Sequence, residues 1–150
     1  MSTLPVAGTV RHPPFDDVPT DEVVLTYDAR LLRRKRLETL GGQAFMVDLP
    51  ETVSVLEGDA FVLEDGRLIK VTAAPEPLLR VTGDLPRLAW HIGNRHTPCQ
   101  IEADNLLIRR DHVLTAMLVQ LGAEVSDVTG AFTPEGGAYG HGRTMGHSHE

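Results

Sequence analysis

The stretch Leu78-Leu79-Arg80-Val81-Thr82-Gly83-Asp84-Leu85-Pro86-Arg87-Leu88-Ala89-Trp90-His91-Ile92-Gly93 changes its apolar period midway. Residues 78–82 form a short apolar run of strand length. Leu85, Leu88, Ala89 and Ile92 then recur at helical spacing, after Asp84 as N-cap and before the stop signal Gly93-Asn94. Downstream, residues 100–103 and 106–109 flank Asp104-Asn105 as a tight hairpin. Asp111 opens a second helix, in which Val113, Leu114, Met117, Leu118 and Leu121 mark one stripe and which Gly122 ends; residues 125–128 make a last short strand. The order β-α-β-β-α-β predicts a ferredoxin-like domain. That arrangement hosts many unrelated activities, so function must be argued from side chains.

Working upstream, Ala73-Ala74-Pro75-Glu76-Pro77 breaks the pattern, and its two prolines predict an extended linker at 75–77. Before it, residues 23–71 carry strand signals separated by turn residues: Val-Val-Leu-Thr-Tyr, Ala-Phe-Met-Val-Asp-Leu, Ala-Phe-Val-Leu-Glu and Arg-Leu-Ile-Lys-Val. Asp65-Gly66 between the last two is a two-residue signal for a type I′ hairpin. The first twenty residues, with Pro5, Pro13, Pro14 and Pro19, read as irregular. The expected division is a small β domain over 1–74, the linker, an α+β domain over 78–134, and a flexible glycine-rich, histidine-containing tail over 135–150.

The 150 residues are 41% hydrophobic and 23% charged, a balance that supports a folded core, and the net charge of −7 repels nucleic acid and anionic lipid. No apolar run approaches the ~20 residues that cross a bilayer, and the N-terminus lacks the order of a signal peptide, so a cytoplasmic protein is expected. Cys99, the sole cysteine, has no intrachain partner and reads as a small buried hydrophobe.

Seven histidines remain to be explained, and His141, His147 and His149 lie in the last ten residues, where packing does not require them. Imidazole suits nickel, copper and zinc, and a glycine-spaced tail can bend several rings around one ion. His96 follows the first helix in a loop before Thr97-Pro98, and His112 opens the second helix. His91 stands about 140° of helical rotation from His96, so the two are not expected to chelate together; it and His12 are assigned structural roles. The basic run over residues 30–36 suits either a phosphate or acidic partner, or simply a solvated strand and turn. No nucleophile with a supporting base, phosphate-cradling glycine loop or HExxH helix is present, which argues against an enzyme.

The motif His91-Ile92-Gly93-Asn94-Arg95-His96-Thr97-Pro98 resembles the signature of the UreE family of urease accessory proteins. The resemblance extends through Leu25-Thr26-Tyr27-Asp28, Val47-Asp48-Leu49-Pro50, Asp65-Gly66-Arg67, Asp111-His112-Val113-Leu114 and Gly130-Ala131-Phe132. It implies an N-terminal domain similar to the Hsp40 peptide-binding domain, a ferredoxin-like metal-binding domain through which the chain forms a homodimer, and a metallochaperone role. It further implies Ni2+ as cargo and delivery to the urease activation complex with its accessory GTPase. Imidazole chemistry also admits Zn2+ or Cu2+, so the alternative readings are a general zinc- or copper-buffering protein and a peptide-binding co-chaperone that uses the β domain. By resemblance His96 is the interfacial nickel ligand, with His112, His141, His147 and His149 as further ligands. Where some members carry His-Asp-His, this chain has Arg110-Asp111-His112.

Overall fold

The computed structural model describes residues 3–136. The chain divides into two compact units, Met1–Ala74 and Pro75–Glu150.

In the first unit, strands β1 (Val6–Arg11), β2 (Asp21–Leu25), β3 (Leu31–Glu38), β4 (Ala44–Ser54), β5 (Ala60–Leu63) and β6 (Leu68–Ala73) form one sheet in the order β2-β6-β5-β1-β4-β3. The β1–β4 and β2–β6 pairs are parallel and the rest antiparallel. Alternate residues turn inward to make a core from Val23, Leu37, Phe45, Val47, Phe61, Leu63, Ile69 and Val71, with the Phe45 and Phe61 rings tilted at 5.8 Å. β1 corrects the expectation of an irregular N-terminus. Pro5 precedes it and the other prolines follow, so its N–H groups are intact and it pairs on both sides.

The Asp65-Gly66 turn also differs from the type I′ expectation. Gly66 has φ 90°, but Asp65 does not take positive φ. The Leu63 carbonyl accepts from Gly66 N–H at 2.9 Å, and Leu63 N–H donates to the Arg67 carbonyl at 2.9 Å, a type I turn closed by a left-handed glycine. The Asp65 carboxylate accepts from the backbone N–H and the guanidinium of Arg67, which lowers its pKa. Arg30, the first residue of the basic run, is buried and its guanidinium donates to the Leu25 carbonyl at 2.8 Å; the rest of the run falls on β3, the last strand of the sheet. Arg33, Arg34, Lys35 and Arg36 are all exposed there; Arg34 pairs with Asp48 at 3.2 Å.

The second unit contains β7 (Pro75–Thr82), α1 (Leu85–Asn94), β8 (Gln100–Ile101), β9 (Leu106–Arg109), α2 (His112–Gln120) and β10 (Glu124–Ala131). Its antiparallel sheet has the order β10-β7-β9-β8, the ferredoxin-like arrangement. Leu79 and Val81 of β7 and Leu106 and Ile108 of β9 share a core with Leu88 and Ile92 of α1 and Leu118 of α2. Fully burying each such side chain contributes about 1.5–3 kcal/mol. Asp84 caps α1 by accepting from Arg87 N–H, and Asp111 caps α2 by accepting from Val113 and Leu114 N–H.

Two expectations for this unit are revised. Pro75–Pro77 is not a linker but the start of β7, in register with residues 129–131 of β10; proline is tolerated at a strand's first positions, where no ladder on the other side needs its N–H. On α2, Val113 is 66% exposed and does not join the core, because α2 is apolar around most of its circumference and its sequence alone does not select one face. No helix among the described residues is long and apolar enough to cross a membrane.

Candidate metal centre

α1 runs one residue beyond Gly93, and its left-handed stop falls on His96, with φ 56°. His96 N–H donates to the Gly93 carbonyl at 2.9 Å and Thr97 N–H to the Ile92 carbonyl at 3.4 Å, the paired bonds of a Schellman cap. Glycine usually occupies this position. Among the described residues His96 is the one non-glycine residue with positive φ. A side chain there costs roughly 1–2 kcal/mol, and such strain held by its surroundings is a pointer toward function. The cap lifts the imidazole off the helix into an exposed position, while Thr97, Pro98, Cys99 and Gln100 are only partly exposed behind it.

Cys99, three residues on, packs against the core of the second unit. Burial, with the nearby charge of Glu135, pushes its thiol up to about 11. A thiol so held is not a ready thiolate ligand at neutral pH.

His112 is the first residue of α2 and is exposed. Arg110, where some family members place a histidine, is committed to the sheet. Its N–H groups donate to the carbonyls of Leu78 and Val128 at 3.4 and 2.9 Å, and its guanidinium lies 3.5 Å from the Asp127 carboxylate. It therefore ties the end of β9 to β7 and β10.

The antiparallel ladders have a further consequence. β7 and β9 run in opposite directions, so the end of α1, the start of α2 and the end of β10 all lie at one end of the unit. His96, His112 and the exit toward the C-terminus are thereby gathered at that end. Among the described residues, however, no group of three or more His, Cys, Asp or Glu is placed to hold a metal ion. His141, His147 and His149 lie outside the described residues.

The two histidines assigned structural roles have packing partners. His91 is half-buried with its ring edge-on to Trp90 at 5.0 Å, and His12 Nδ1 lies 2.8 Å from the carboxylate of buried Asp59. Sequence reasoning missed the contacts of the chain leaving β10: Thr133 N–H donates to Gln100 Oε1 and Glu135 N–H to the Cys99 carbonyl, both at 2.9 Å. No periodicity announces them.

Comparison with known proteins places this geometry in context. Residues 5–74 match the model of the UreE urease accessory protein N-terminal domain, and residues 68–150 that of the C-terminal domain. A urease accessory protein UreE of Ruegeria pomeroyi is 60% identical over 147 residues, covering 97% of this chain and 99% of that protein. One of Paracoccus denitrificans is 66% identical over 131 residues, covering 87% and 82%, and one of Rhodobacter capsulatus is 63% identical over 129 residues, covering 86% and 83%. With both family domains matched in order along the chain, and the His96 motif set on a helix cap of the second, the protein belongs to the UreE family of urease accessory proteins.

Proposed function

We propose that this urease accessory protein is a nickel metallochaperone: it captures Ni2+ through His96 and delivers it to the urease activation complex, with an accessory GTPase as partner, in the cytoplasm. The observation that carries the reading is the exposed imidazole of His96, held at a costly backbone conformation in the Gly-Asn-Arg-His-Thr-Pro motif.

A single fixed imidazole is too small a shell for Ni2+, and the described residues supply no three-ligand cluster. A homodimer with His96 beside its two-fold axis doubles the imidazoles, and His141, His147 and His149 add donors; His112 is a further candidate at the same end. An incomplete, adjustable shell also favours release, which a carrier needs and an enzyme's resident metal does not.

The test is calorimetric nickel titration of the full chain and of His96→Ala, with mass measurement of the oligomer. The expected result is loss of the tightest nickel event with the dimer intact. A His96→Ala dimer binding one nickel per two chains at parental affinity overturns the reading, and tighter binding of Zn2+ or Cu2+ with no transfer of nickel to the GTPase replaces it with a metal-buffering role.

A further inference from the structure

Strand β3 is the last of its sheet, so one of its two sides has no strand in the ladder. Which backbone groups face that side follows from the pairing with β4. Arg36 stands opposite Met46, and the Met46 N–H donates away from β3, to the Pro5 carbonyl at 2.8 Å. In an antiparallel ladder such a pair exchanges no bonds, so the N–H and carbonyl of Arg36 point outward, and those of Arg34 and Glu38 with them. Leu40, the next residue in that series, shows the same direction: its N–H donates to the Glu22 carbonyl of β2 at 2.9 Å. That bond ends the open stretch. Among the described residues, no backbone group pairs with Arg34, Arg36 or Glu38 on the outer side.

The side chains along this edge are of one sign. Arg33 to Arg36 are four basic residues in succession, all exposed, in a chain of net charge −7. Arg34 pairs with Asp48 at 3.2 Å and Arg33 Nε donates to the Leu49 carbonyl at 3.3 Å, while among the described residues Lys35 and Arg36 meet no carboxylate. Like charges keep such an edge from pairing with a second copy of itself, and the same field attracts a strand of opposite sign. A strand rises about 3.4 Å per residue and alternates in face, so Arg34 and Arg36 stand about 7 Å apart on one face with Lys35 on the other. That ladder fits alternate carboxylates of an extended chain better than it fits a single phosphate.

We propose that the open edge of β3 docks an acidic, extended segment of a partner protein, which adds as a further strand with its carboxylates beside Arg34 and Arg36. Glu38, exposed on the same face, repels a third carboxylate and so sets the register. The site lies in the first unit and is independent of the metal reading.

The probe is a short fluorescein-labelled peptide alternating glutamate and threonine, titrated by anisotropy against the full chain and against a variant carrying Arg34→Gln and Arg36→Gln. Circular dichroism checks that the variant is folded, and nickel titration is expected to be unchanged in it. Expected are binding that weakens with added salt, a loss of about fivefold or more in the variant, and slower amide exchange at Arg34, Arg36 and Glu38 when the peptide is bound. The same peptide N-methylated at alternate amides keeps its charge but cannot pair as a strand, and is expected to lose binding. Equal binding of the methylated peptide reduces the edge to a charged surface and overturns strand addition. Displacement of the peptide by inorganic phosphate or by RNA at equal charge overturns the choice of occupant. No binding at millimolar peptide overturns the proposal outright and leaves the charges as a guard against self-association.

Discussion

His96 N–H donates to the Gly93 carbonyl at 2.9 Å while His96 itself sits at φ 56°, so the residue that ends α1 is also the one that presents the imidazole. Glycine is the residue that position favours, whereas its extra freedom in the unfolded chain offsets part of the gain. His96→Gly is therefore expected to be more stable than His96→Ala by about 0.5–1 kcal/mol in urea denaturation, with both variants losing the tightest nickel event. Equal stability of the two would mean that the cap carries no strain.

Removing residues 137–150 takes away His141, His147 and His149 but none of the described core. The thermal midpoint is expected to stay within a degree or so, since 1 kcal/mol corresponds to about 4–8 °C in a small domain. Nickel stoichiometry by calorimetry is expected to fall. An unchanged titration would count against ligation by the tail.

Arg110 bridges carbonyls on two strands, and its ion pair with Asp127 is largely exposed. Arg110→Ala is expected to cost about 1–2 kcal/mol through the lost hydrogen bonds, and Asp127→Asn less than about 0.5 kcal/mol. Arg110→His restores a His-Asp-His unit and is expected to add a weak metal event involving His112 while losing part of that stability. Absence of any new event would show that the unit is not a site in this fold.

Burial holds the Cys99 thiol at about 11, so at pH 8 about one molecule in a thousand carries the thiolate. Alkylation by iodoacetamide is expected to be slow in the native protein and fast in urea. A folded pKa above the unfolded value of 9.0 contributes stability that is fully present below pH 9 and lost as pH rises toward 11. Cys99→Ala is expected to flatten that alkaline decline and to leave nickel binding intact; a loss of nickel affinity would make the sulfur a ligand.

What the sequence determined by itself follows from short-range physics. The βαββαβ order was legible because Asp84 and Asp111 cap their helices locally and because a change of apolar period needs no distant partner. The motif around His96 was likewise legible as a linear string. Tertiary structure decided the rest, because the deciding partners are far apart in the chain. β1 became a strand only through β4 and β5, and Pro75–Pro77 joined a sheet because β10 lies alongside. α2 buried Leu118 rather than Val113 because the sheet selects a face that an almost uniformly apolar helix cannot select for itself. The left-handed turn fell on His96 rather than on Gly93, since the last carbonyls of α1 are closed by amides further on. Gln100 and Thr133, thirty-three residues apart, meet only because an antiparallel sheet returns the end of β10 to the end of the unit where α1 stops.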